Sequence, residues 1–91
     1  MMATERRIDV RELEPPEPLE IALDMAHKLL PGEYLRMLHR REPFPLYRLL
    51  EQDGFRYRLY SGGDCPYEIL IWRADDSEAE IAVQRIAKPS V

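Results

Sequence analysis

The sequence predicts an α+β fold: a two-layer open sandwich of order β-α-β-α-β-β, with a four-stranded mixed sheet, two helices on one face and a further helix at the C-terminus. Three observations lead there. Two strand-like segments, "RIDVREL" and "EYLRML", are each followed by a stretch of helical periodicity, and strands joined by a helix run parallel with a right-handed crossover. Two more, "FRYRLY" and "YEILIWR", are separated only by "SGGDCP", which makes them an antiparallel hairpin. Each of the two helices has one apolar face, and helices covering one side of a small sheet give two layers.

In chain order, Ile8 and Val10 share a face of the first strand, opposite Asp9 and Arg11. From Pro16 the residues Leu19, Ala22, Leu23, Ala26, Leu29 and Leu30 follow the i, i+3, i+4, i+7 rule of a helix that Pro31-Gly32 ends. Strand two covers Glu33 to Leu38, with Leu35 and Met37 on one face. After the polar turn "HRREPFP", Leu46, Leu49 and Leu50 mark a helix from Pro45 to Asp53 that Gly54 caps in left-handed geometry. Phe55, Tyr57 and Leu59 then alternate with Arg56, Arg58 and Tyr60, and in the returning strand Ile69 and Ile71 oppose Leu70 and Trp72. In the tail, Ser77 and Glu80 have capping-box spacing, and Ala79, Ala82, Val83 and Ile86 recur at helical intervals. The expected division is a domain over 7–73 and a tail over 74–91 that forms a short helix.

A chain of 91 residues with 45% hydrophobic and 33% charged residues is a single globular domain that needs no staple. Its net charge of -4 disfavours nucleic acid or anionic membrane as partner. One cysteine, Cys65, excludes an intramolecular disulfide and a multi-thiolate zinc site. With no apolar run to serve as signal or membrane span, a cytoplasmic location is expected.

The element order, the entry "IDVRELEPPEP" and the middle "HRREPFPLYRLLEQDGFRYRL" resemble the TusA/SirA superfamily of small sulfur carriers. Within it they are most similar to the branch called domain of unknown function 2249. The resemblance covers Arg7 to Arg73, and "PPEPL", "LPGEYLR" and "EPFPL" carry it. It implies a Cys-Pro-x-Pro corner between the first strand and first helix, whose cysteine carries a persulfide. There a thiolate is stabilised by the helix N-terminus. Here Pro16 and Pro18 match the two prolines and Pro15 stands in the cysteine position, so the sulfur chemistry does not transfer. Proline is tolerated in a first helical turn, where the missing N–H has no intrahelical acceptor. The corner therefore reads as scaffold, or as a rigid docking surface kept after loss of that chemistry.

Parallel first and second strands bring the loops after them to one sheet edge, the usual ligand edge of open α/β sheets. That edge gathers Glu14, Pro15, Glu17, His39, Arg40 and Arg41, as candidate residues for a protein partner or small anion. The alternative is a set of exposed ion pairs, each worth at most about 1 kcal/mol. His39 is the one plausible acid–base or metal-binding side chain there, and a satisfied structural histidine is the commoner outcome. His27 reads as a boundary residue. Cys65 lies in the hairpin turn with no helix to depress its pKa and reads as a surface thiol without a role.

The sheet face away from the two helices should present Arg11, Arg36, Arg56, Arg58, Tyr60, Leu70 and Trp72. The tail helix, or a homodimer through the same face, would bury Leu70 and Trp72. No catalytic triad, phosphate-cradling loop or multi-ligand metal spacing is present. The expected function is a non-enzymatic adaptor or regulatory domain without cofactor. An accessory role in sulfur relay or redox metabolism is the alternative, and metal or heme binding through His39 a further one.

Overall fold

The structure, a computed structural model, describes residues 3–60 and 65–86 of the chain. Strand β1 (Thr4–Asp9) is followed by helix α1 (Glu17–His27), strand β2 (Glu33–His39), helix α2 (Phe44–Gln52), the hairpin strands β3 (Phe55–Tyr60) and β4 (Tyr67–Arg73), and helix α3 (Ser77–Ile86). β1 and β2 are parallel, β4 is antiparallel to both β2 and β3, and the sheet order is β1-β2-β4-β3. The predicted α+β sandwich is thus the observed one. The Ser61–Asp64 part of the expected turn and residues 87–91 of the tail lie outside the described residues.

Alternation along each strand decides what the two sheet faces bury. On one face Met37 pairs in register with Ile8 and Ile69, and Leu35 with Ile71. Ala22 and Ala26 of α1 and Leu46 and Leu50 of α2 seat on them with no exposed surface. Burying a leucine this completely contributes roughly 2 kcal/mol, and the small alanines bring α1 close to the sheet. On the other face Tyr34, Leu70 and Trp72 pack against Ala79 and Val83 of α3, with Ala82 and Ile86 at the margin. The Trp72 indole N–H donates to Glu80 at 3.2 Å, so α3 lies on this face within the same chain.

Several details differ from expectation. The first helix stops at His27, because Lys28 and Leu29 donate to carbonyls three residues back and tighten the last turn. Leu29 stays buried while Leu30 turns outward, 62% exposed. β1 begins at Thr4 and ends at Asp9. Arg11 is therefore not on the open face; its backbone N–H and guanidinium both bind the Asp9 carboxylate, at 3.1 and 2.7–2.9 Å. That hydrogen bonding holds Asp9 down to about 2.

The cap of α3 is Asp76, not Ser77: its Oδ1 accepts from Ala79 N–H at 3.1 Å. Its Oδ2 accepts from the N–H of Gly32 at 2.8 Å, tying α3 to the turn before β2. Glu80, the other half of the expected capping box, is engaged by Trp72 and Arg56 instead. Gly32 and Gly54 have φ of 82° and 86°, the left-handed geometry that ends each helix-to-strand connection.

Two of the arginines expected on the open face, Arg36 and Arg56, are taken up by carboxylates, while Arg58 is exposed. Arg36 binds Glu5 at 2.9 Å and Glu68 at 2.7 Å, and the Tyr34 hydroxyl donates to the same Glu5. Burial pushes the Glu5 carboxyl up, but the hydrogen bonds from Arg36, Arg7 and Tyr34 outweigh it and hold the group below its ordinary value. Arg56 pairs with Glu80.

Candidate functional site

The two parallel strands end at one sheet edge, and each hands over to its helix through the same four-residue pattern. Pro16-Glu17-Pro18-Leu19 opens α1 and Pro43-Phe44-Pro45-Leu46 opens α2; in each the first proline is the cap and the second lies in the first turn. The Pro15–Pro16 peptide bond is cis. Between the corners lies a groove of about 300 Å³. Its walls are five prolines, Pro15, Pro16, Pro18, Pro43 and Pro45, with Leu13, Leu19 and Leu46.

The polar part of the groove comes from His39 at the end of β2 and from Arg40, Arg41 and Glu42 in the loop after it. Of the residues expected at this edge, Pro15, His39, Arg40 and Arg41 line the groove, and Glu14 reaches across to pair with Arg40. That pair is exposed on both sides and stabilises little. Glu17 does not join them; it is the exposed first residue of α1 and is not part of the groove lining.

His39 is buried, 7% exposed, and its Nδ1 accepts from the backbone N–H groups of Arg40 at 2.9 Å and Arg41 at 3.4 Å. Burial, then the charges of Arg40 and Arg41, push its pKa below the ordinary value of 6.5. The imidazole is therefore neutral near pH 7, and with Nδ1 accepting, its proton sits on Nε2. Among the described residues no acceptor meets that Nε2. His27, by contrast, is exposed, with Nε2 3.0 Å from Asp53 and its ring edge-on to Phe55.

A helix N-terminus attracts anions through its free N–H groups, and here few remain. At α2, Phe44 N–H donates to Glu42 O, Leu46 N–H donates to Pro43 O, and Pro45 has none. At α1, Glu17 N–H donates to Glu14 O, Glu20 N–H donates to Pro16 O, and Pro18 has none. The prolines thus turn an edge that usually offers backbone donors into an apolar wall.

Cys65 corrects the sequence reading, since it is buried rather than on the surface. β4 runs antiparallel to β2, with Tyr67 opposite His39, so the residues leading into β4 lie at the groove edge. The Cys65 thiol donates to the carbonyls of His39 at 3.3 Å and Tyr67 at 3.2 Å. Among the described residues no three histidine, cysteine or acidic side chains come together as a metal site.

Sequence reasoning selected the charged members of this edge and passed over most of its apolar ones. The doubled Pro-x-Pro-Leu pattern was the signal that could have found them. Phe44, between Pro43 and Pro45, was missed as well; it is 67% exposed at the rim, edge-on to Tyr47, which stacks on Tyr57 at 4.1 Å.

A four-stranded open sandwich with an apolar groove between two strand-to-helix corners defines a small domain built around one sheet edge. Residues 7–73 match the family described as an uncharacterized conserved protein, DUF2249, and the chain belongs to that family. Helix α3 lies beyond the matched segment. Neither the curated proteins nor the solved structures yield a match. No helix among the described residues is long and apolar enough to cross a membrane.

Proposed function

We propose that this chain is a cytoplasmic, non-enzymatic binding module of TusA-like fold from a bacterium, and that its proline groove receives an apolar side chain of a protein partner. The observation that carries the reading is the groove itself: about 300 Å³, walled by five prolines and three leucines, at the ligand edge of the sheet. The exposed Phe44 extends the apolar surface at its rim. Proline walls also favour recognition over chemistry, because rigid rings lose little entropy when a partner docks. A small anion alone is the weaker candidate, since the helix N-termini keep few donors for it.

A photo-reactive phenylalanine analogue placed at Phe44, and separately at Ile81 on α3, tests this in living cells. Both positions are exposed, 67% and 51%. A partner adduct from Phe44 that is lost on adding Leu19→Glu is the expected result. Adducts from Ile81 alone would move the partner to the α3 face and end the groove reading.

An accessory role in sulfur relay is favoured by one observation, the position of Cys65 beneath the His39 carbonyl at the same edge. Its burial means that the thiol must become accessible before a persulfide can reach it. Incubation with a persulfide donor followed by mass spectrometry of the native protein decides this; an unmodified Cys65 removes the role.

A further inference from the structure

We infer that the side chain seated in the proline groove is the Phe44 of a second copy of this chain, in a two-fold dimer where Arg41 of each protomer pairs with the partner's Glu42. This inference rests on the groove reading above and names the occupant.

Phe44 is the most exposed large hydrophobic side chain among the described residues, at 67%. It stands between Pro43 and Pro45, which both wall the groove, yet it is not itself part of the lining. An apolar knob and an apolar hole therefore lie side by side on one surface. That is the arrangement a two-fold contact needs, because an axis between knob and hole places each ring in the other protomer's hole. A space of about 300 Å³ holds a phenyl ring with room to spare, since about 150 Å³ lined by apolar side chains already takes up benzene.

Charge is the second, independent observation. Arg40 is matched by Glu14. Arg41 and Glu42 follow each other in the groove lining without pairing: among the described residues Arg41 has no carboxylate and Glu42 no cation within ion-pair distance, and Glu42 accepts only from the neutral Tyr47 hydroxyl, at 3.2 Å. The lining thus carries one unmatched charge of each sign, which is what a self-complementary surface presents. A partner of one sign would leave one of the two unmatched; a second copy matches both at once. The other apolar face that could join two copies, around Leu70 and Trp72, is already covered by α3.

Sedimentation equilibrium of the full chain from about 10 μM to about 1 mM tests this. The expected result is a concentration-dependent dimer whose dissociation constant rises at least about ten-fold in Phe44→Ala. Arg41→Glu and Glu42→Arg each bring like charges together and weaken the dimer, whereas an equimolar mixture of the two restores it, because each cation then meets a carboxylate across the axis. That restoration also shows that both variants fold. Arg58→Glu, on the exposed side of β3, leaves the dimer intact. A chain that stays monomeric to about 1 mM, a dimer indifferent to Phe44→Ala, or a mixture no tighter than its components overturns the inference. The groove is read separately by NMR titration of Phe44→Ala with neutral N-acetylphenylalaninamide. Shifts of the Leu19 and Leu46 signals keep the groove reading standing whatever the dimer does, and their absence overturns both.

Discussion

His39 is neutral because burial and the neighbouring Arg40 and Arg41 disfavour its charged form. Its folded pKa lies below the 6.5 of the unfolded chain, so between those values the unfolded state binds more protons and stability rises with pH. The contribution is fully present above about pH 6.5 and is lost as pH falls toward the folded pKa, with a slope of at most about 1.4 kcal/mol per pH unit. Asn at position 39 offers an Oδ1 where the imidazole offers Nδ1. Denaturant midpoints for His39→Asn should therefore lack this slope just below pH 6.5; an unchanged slope would assign it to another group. Arg73 makes a second residue-scale case. Its guanidinium donates to the carbonyls of Leu29 at 3.2 Å and His27 at 2.9 Å, which end α1, and lies 5.3 Å from the centre of the Phe55 ring. Arg73→Ala should cost about 1–2 kcal/mol in chemical denaturation, and Arg73→Lys should recover only part of it, because a single ammonium lacks the fork.

At the scale of elements, α3 is held by its cap and by its apolar stripe. The capping-box spacing of Ser77 and Glu80 located this helix correctly, yet Asp76 makes the cap and also accepts from Gly32 N–H. Asp76→Ala should therefore lower stability by about 1–2 kcal/mol, whereas Ser77→Ala should stay within about 0.5 kcal/mol. A thermal melt of each variant checks this, and the reverse order would restore Ser77 as the cap. Helix and strand positions were legible because periodicity reports which side chains share a face: β3 and β4 begin and end where alternation places them. Ends were less legible. Leu30 fits the apolar stripe of α1, but the turn tightens where the Lys28 and Leu29 N–H groups donate three residues back, and Arg73 takes up the His27 and Leu29 carbonyls left free beyond it.

For the whole molecule, the decisive contact is α3 on the sheet face opposite α1 and α2. Tyr34, Leu70 and Trp72 are buried there by Ala79 and Val83, so a homodimer through Leu70 and Trp72 would first have to displace α3. A charge in the centre of that contact should release it: Val83→Asp should move Trp72 emission to longer wavelength and lower the unfolding free energy by about 3 kcal/mol or more. Unchanged Trp72 emission would mean that α3 contributes little to this face. The sequence by itself determined the fold class, the pairing of β1 with β2 and of β3 with β4, and the sheet edge where Pro15, His39, Arg40 and Arg41 meet, because alternation, helical period and proline chemistry are local and survive in one dimension; the pairing of β2 with β4 came only from the tertiary structure. Only the tertiary structure decided that the edge is an apolar groove rather than a charged cluster. Leu13, Leu19 and Leu46 become neighbours across it through chain crossing, and the burial of Cys65 and the pairing of Arg40 with Glu14 likewise depend on which segments the sheet brings side by side.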